Sequence, residues 1–173
     1  NLLKIPVPAG FTITTDVCTH YYDNNCNFPP ELNPEILNAI TQTENAMGAK
    51  FGDNENPLLV SVRSGARKSM PGMMETVLNV GLTSKTIPAL IKKTNNPRFV
   101  YDAYRRLIMM YADVVMEKGS GAEIKGENGI RHKLESLISE YKKEKSCTND
   151  TDLDGDDWKL LSKKFKNQIK ESL

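Results

Sequence analysis

Apolar and polar positions along the chain fall into two regimes, with extended and helical patterns mixed before about residue 85 and helical spacing prevailing from Thr86 onward. Pro6-Val7-Pro8 followed by Phe11-Thr12-Ile13-Thr14 alternates apolar and hydroxyl residues. That predicts a strand over 11–14 with prolines confined to its approach. Asn33-Pro34-Glu35 offers a cap residue, a proline at the first helical position and an acid in the first turn. Ile36, Leu37, Ile40 and Met47 supply the apolar stripe of this predicted helix, which stops at Gly48. Asp53-Asn54-Glu55-Asn56-Pro57 is turn chemistry, and Leu58-Leu59-Val60-Ser61-Val62 reads as a short buried strand.

In the second regime Asn96-Pro97 repeats the cap-plus-proline start. Phe99, Ala103, Leu107, Met110 and Val114 then recur at three-to-four spacing, predicting a long helix that ends at Gly119. The stretch from Gly119 to Gly129 is glycine-rich and reads as a connection. Leu134, Leu137, Ile138 and Tyr141 mark a further helix with lysines in its last turn, where a cation suits the carbonyl end. A final helix starts at Asp156 or Asp157, with Trp158, Leu161, Phe165 and Ile169 on one face and Lys159, Lys163, Lys166 and Lys170 toward water. No internal repeat is visible.

Composition narrows the field. The chain has 173 residues, 39% of them apolar and 26% charged, which is the profile of a globular protein with a real core. Lys and Arg (23) nearly cancel Asp and Glu (22). The halves on either side of Lys118 are each close to neutral, so no basic arm for nucleic acid or an anionic membrane is present. The longest apolar runs are a few residues, as in Leu58-Leu59-Val60, too short for a bilayer span. No signal or transit pattern stands near Asn1, and the native start is expected to lie upstream of it. Cys18, Cys26 and Cys147 are odd in number and lack CxxC spacing, which points to free thiols in a reducing compartment rather than a disulfide framework or zinc site.

The chemistry concentrates in Ser61-Val62-Arg63-Ser64-Gly65-Ala66-Arg67-Lys68-Ser69-Met70-Pro71-Gly72-Met73-Met74. A small-residue loop after a strand's carboxyl end is where ligands bind in α/β folds. Glycines let backbone N–H groups approach a polyphosphate, and Ser64 and Ser69 add hydroxyls. Arg63 and Arg67 supply permanently charged planar forks, each charge-assisted hydrogen bond being worth about 1.5–3 kcal/mol. The segment is neither a Walker A loop nor GxGxxG, so composition alone leaves an ordinary loop with surface arginines as the alternative.

Asn56 through Arg67, continuing Ser69-Met70-Pro71-Gly72-Met73-Met74 and Thr76-Val77-Leu78-Asn79, closely resembles the nucleotide-binding domain of the pyruvate, phosphate dikinase family. The resemblance extends to Ile5 through Thr15, to Arg98-Phe99-Val100-Tyr101-Asp102-Ala103-Tyr104-Arg105-Arg106 and, more loosely, to Asp157-Trp158-Lys159-Leu160-Leu161. Phosphoenolpyruvate synthases share the Val-Arg-Ser core but not the Gly-Ala-Arg and Met-Pro-Gly-Met-Met continuation. Glu75 stands where the family usually has Asp, and Val80 where Leu is common.

The resemblance implies an α+β fold: residues 1–85 as the first part of an ATP-grasp domain with a small mixed sheet, and 86–173 as a helical subdomain. It implies an enzyme that converts ATP, inorganic phosphate and pyruvate to AMP, pyrophosphate and phosphoenolpyruvate through a phosphohistidine on another domain of the same chain. Magnesium is the implied cofactor, with a potassium or ammonium ion as a further one. The full-length enzyme is expected to be an intracellular homodimer, cytoplasmic or organellar, with neither nucleic acid nor membrane as partner. By the same analogy Arg63 is the catalytic, phosphate-contacting arginine, and Ser64, Gly65, Ala66, Arg67, Ser69, Met70, Pro71, Gly72, Met73 and Met74 form the polyphosphate-binding loop. The family's upstream lysine, its downstream acidic magnesium ligands and its Thr-Ser-His-Ala-type motif are all absent. The chain is therefore expected to be a fragment that does not turn over alone.

The alternatives are a phosphoenolpyruvate synthase-like or other water dikinase, and a non-catalytic, calcium-responsive module. The last rests on Asp150-Thr151-Asp152-Leu153-Asp154-Gly155, which opens like an EF-hand loop but has Leu161 at its twelfth position, where a bidentate glutamate belongs. Its plainer reading is aspartates that cap the final helix. His20 and His132 have no partner at useful spacing and read as surface or packing residues.

Overall fold

The computed structural model describes residues 7–65, 75–121 and 128–173. Its elements run α1 (Thr15–Asp23), α2 (Leu32–Met47), β1 (Lys50–Phe51), β2 (Pro57–Leu58), β3 (Val60–Arg63), β4 (Thr76–Val80), α3 (Ile87–Thr94), α4 (Pro97–Met110), α5 (Ile130–Glu144) and α6 (Gly155–Ser172). A π-helical segment, Tyr111–Glu117, and a 3-10 turn, Lys118–Ser120, continue α4. The fold class is α+β, as the sequence predicts.

The expected strand over 11–14 is not formed. Those residues are irregular and exposed, with Phe11 at 48% and Ile13 at 50%, and Thr14 instead stands at the N-cap of α1. Alternation alone does not make a strand without a neighbouring ladder to take its backbone groups, and among the described residues none is present. α2 ends at Gly48 in the left-handed conformation, as predicted, but its N-cap is Glu31 rather than Asn33. Pro34 therefore falls later in the first turn, where its missing N–H still costs nothing. Leu37 and Met47 of the expected apolar stripe are exposed, and only Thr43 of α2 is buried.

The single buried strand expected over 58–62 is two short strands broken at Leu59. β2 pairs in parallel with β1, while β3 pairs antiparallel with β4, with a bulge between Val60 and Val62. Leu58 is buried, whereas Val62 is 56% exposed. Among the described residues, two separate two-stranded sheets thus stand where one small mixed sheet was expected.

Two cores lie side by side, and α4 serves both. In one, Val77 and Leu82 meet Ile87 of α3 and Val100 and Leu107 of α4. In the other, Ala112, Ile130, Leu134, Ile138 and Tyr141 surround Leu153, Trp158, Leu161, Phe165 and Ile169, and Tyr101 of α4 borders both. Asn96 caps α4 by accepting the Phe99 N–H at 3.0 Å, although Phe99 points to solvent rather than into the apolar face. α4 keeps its α-helical form only to Met110, not to Gly119. α6 begins one residue earlier than expected, at Gly155. Asp154 caps it by accepting from the Asp156 and Asp157 N–H groups, and Asp157 answers by accepting the Asp154 N–H. The lysines on its outer face are exposed, as their spacing predicts. Among the described residues no helix is long and apolar enough to cross a membrane, and all three cysteines are free thiols.

Candidate functional site

β3 and β4 form an antiparallel hairpin, and the candidate loop is the connection between them. The chain leaves β3 at Arg63 and returns antiparallel at Thr76, with these two residues paired across the ladder. Just past that pair the Ser64 N–H donates to the Glu75 carbonyl at 2.9 Å, and the Ser64 hydroxyl donates to the same oxygen at 3.1 Å. Both donors of Ser64 are thus engaged in closing the hairpin.

Arg63 is exposed, and among the described residues no carboxylate pairs with its guanidinium. An exposed arginine fork at the end of a strand is suited to an anion. Gly65 is exposed too. Among the described residues a Cβ there would meet nothing within 4 Å, and its φ is not positive, so none of them demands glycine at this position. Ala66, Arg67, Ser69, Met70, Pro71, Gly72, Met73 and Met74 lie outside the described residues.

The foot of the hairpin is tied to the helical part by charges that the sequence did not single out. Lys118 Nζ lies 2.6 Å from Glu75 Oε1 and 3.3 Å from Asp113 Oδ1, and Arg131 Nη1 lies 3.3 Å from Asp113 Oδ2. The hydrogen bond to Glu75 and the charge of Asp113 hold the Lys118 ammonium above its ordinary pKa, against the opposing effect of burial. A cleft of about 460 Å³ beside α4 and α5 is lined by Arg105, Arg106, Arg131 and Lys142. Each of these cations is paired with an acid: Arg105 and Arg106 with Asp102, Arg131 with Glu135, and Lys142 with Asp150.

The Asp150–Gly155 loop does not gather its carboxylates as a calcium loop would. Asp150 pairs with Arg105 and Lys142, Asp152 accepts the Thr148 and Asn149 N–H groups, and Asp154 caps α6. Among the described residues no group of three or more His, Cys, Asp or Glu is placed to hold a metal ion. His20 is half-buried and His132 exposed, away from the hairpin in sequence and without a hydrogen bond from either ring among the described residues.

The scaffold is of the α+β class, with an exposed arginine where β3 ends. The sequence matches the family described as Pyruvate phosphate dikinase, AMP/ATP-binding domain over residues 25–140, and the chain belongs to that family. It is 49% identical over 173 residues to a pyruvate, phosphate dikinase of Clostridium symbiosum, covering 100% of this chain and 18% of the relative. A pyruvate, phosphate dikinase of Entamoeba histolytica is 41% identical over 169 residues, 98% of this chain and 18% of the relative. A chloroplastic pyruvate, phosphate dikinase of Flaveria pringlei is 42% identical over 171 residues, 98% of this chain and 16% of the relative. The chain thus spans less than a fifth of the length of these relatives.

Proposed function

We propose that this chain is part of the nucleotide-binding domain of a pyruvate, phosphate dikinase, with residues 1–85 contributing the first ATP-grasp portion and 86–173 a helical subdomain. The observation that carries this reading is Arg63, exposed at the end of β3 with no carboxylate partner among the described residues, in a segment, Val62 to Met74, that is the most specific part of the family resemblance. In the enzyme, ATP and inorganic phosphate react to give AMP, pyrophosphate and a phosphohistidine, which then phosphorylates pyruvate to phosphoenolpyruvate. Neither His20 nor His132 sits in a Thr-Ser-His-Ala-type motif, so the acceptor histidine belongs to another domain of the enzyme.

Arg63 contacts the polyphosphate and offsets the charge that builds on the transferred group and bridging oxygens, the main demand of phosphoryl transfer. Ser64 closes the hairpin, and Gly65, Ala66, Arg67, Ser69, Met70, Pro71, Gly72, Met73 and Met74 are the polyphosphate-binding residues of this reading. The described residues do not fit a magnesium site, since no three His, Cys, Asp or Glu side chains converge among them, and the magnesium ligands belong to another part of the enzyme. The potassium or ammonium ion, the homodimer and the cytoplasmic or organellar location belong to this same reading of the full enzyme.

Arg63→Ala in the full-length enzyme tests the assignment. ATP-dependent histidine phosphorylation falls by at least about a hundredfold, while phosphoryl exchange between phosphoenolpyruvate and the histidine continues. Both half-reactions persisting unchanged would remove the role given to Arg63.

A further inference from the structure

The ion pairs at the foot of the hairpin connect the candidate arginine to the helical part through one residue, Glu75. Its side chain is gripped by Lys118, and its backbone carbonyl accepts both the N–H and the hydroxyl of Ser64, the residue next to Arg63. Lys118 is itself fixed by Asp113, which is buried and braced from α5 by Arg131. Asp113 lies in the π-helical segment, whose wide turn also buries Glu117, where Oε2 accepts the Ile130 N–H at 2.7 Å. π-helical turns are rare and occur frequently at functional sites.

Lys118 and Glu75 are each 48% exposed at the side chain. Pairs of this kind add little to folding stability. What this one does is geometric: core packing of Val77 against Val100 and Leu107 seats β4 on α4, and the Lys118–Glu75 pair adds a tie at the end of the ladder where Arg63 and Ser64 stand. Phosphoryl transfer depends on positioning and fixed charge more than on covalent chemistry, so a displacement of the order of an ångström costs rate.

We propose that Lys118 is a positioning residue for the Arg63–Ser64 corner, acting through Glu75, so that the helical subdomain fixes where the guanidinium meets the transferring phosphoryl group. This rests on the reading of Arg63 as the ATP-phosphate residue. No covalent step is assigned to Lys118.

The test is the ATP concentration dependence of histidine phosphorylation in the full-length enzyme, measured for Lys118→Met, Lys118→Arg, Glu75→Gln, the Lys118→Met/Glu75→Gln double variant and Arg63→Ala. Lys118→Met is expected to lower kcat about tenfold while KM for ATP stays within about twofold. Lys118→Arg restores most of the rate, since it keeps a cation within reach of both carboxylates. Glu75→Gln resembles Lys118→Met, and the double variant is no worse than either single one, because both remove the same link. The melting temperature is unchanged throughout. The inference is overturned if Lys118→Met keeps the parental kcat, if Lys118→Arg is as impaired as Lys118→Met, or if the rate falls only in step with the melting temperature. If Arg63→Ala is impaired while Lys118→Met is not, the positioning role alone fails; if Arg63→Ala is unimpaired, the site assignment beneath it fails as well.

Discussion

The guanidinium of Arg105 lies over the indole of Trp158, its Cζ 4.3 Å from the ring centroid, and from there reaches Asp102 at 2.8 Å and Asp150 at 3.0 Å. One planar cation thus joins α4, the core of α6 and the loop that precedes α6. The stack uses the face of Arg105, and the ion pairs use its edges, a division open to a guanidinium and closed to an ammonium. Arg98 strengthens the same junction by donating to the carbonyls of Leu153 and Asp150 at 2.8 and 3.0 Å.

Arg105→Ala is therefore expected to cost about 2–3 kcal/mol of unfolding free energy. That is below the range for a fully buried pair, because Asp150 stays 45% exposed and regains water when its partner is lost. Arg105→Lys recovers only part of the loss, since a single ammonium cannot stack and bridge both carboxylates. Urea denaturation of the three proteins measures this, and a lysine variant as stable as the parent would show that the stack contributes nothing.

How much of this was legible in the sequence depended on how local the cause was. The start of α6 follows from aspartates within three residues of one another, and its buried face from Trp158, Leu161, Phe165 and Ile169 at helical spacing. The Asn96 cap and the Gly48 stop are equally local. By contrast, the π-helical segment keeps the apolar spacing of α4 as far as Val114, so nothing in the pattern announces the wider turn. α1 has no buried residue and hence no stripe to read. Phe11–Thr14 has the alternation of a strand and lacks a neighbouring strand among the described residues, which a single segment cannot reveal. At the candidate site the proposal for Arg63 rests on its motif, whereas the Glu75–Lys118 contact joins residues 43 positions apart and carries no sequence signal.

Acid is expected to loosen the α5–α6 junction through Asp157. Burial pushes its carboxyl pKa upward. Hydrogen bonds from Tyr141 Oη at 2.7 Å, Lys145 Nζ at 2.9 Å and the Asp154 N–H at 3.1 Å outweigh that and hold it below the ordinary range. Asp150 is likewise held low: burial raises it, but Lys142 and Arg105 prevail. A carboxylate lowered by folding stabilises the native state fully above its unfolded pKa of about 3.9, and that contribution is lost as pH falls through the folded value. Melting temperature should therefore drop on acidification below about pH 4–5. Asp157→Asn should be less stable at neutral pH and show a shallower acid limb; a limb parallel to that of the parent would assign the acid sensitivity elsewhere.

Gly81 closes β4 against β2 at a point where no side chain fits. Its φ is +107°, and a Cβ there would stand 2.6 Å from the Leu58 carbonyl oxygen and 3.1 Å from the Phe51 ring. Gly48 also has positive φ, +62°, but its Cβ would meet nothing within 4 Å. The two positions separate conformational strain from close approach. Gly48→Ala carries only the left-handed penalty, about 1 kcal/mol, whereas Gly81→Ala must also push a backbone carbonyl aside, for a total of about 2–4 kcal/mol. Because Leu58 leads through Leu59 into β3, the displacement at Gly81 reaches the strand that ends at Arg63. Gly81→Ala should accordingly lower ATP-dependent histidine phosphorylation in the full-length enzyme at temperatures where the protein remains folded, and Gly48→Ala should not. Equal denaturation midpoints for the two variants would mean that the β2–β4 contact yields freely, and that the placement of Arg63 does not depend on it.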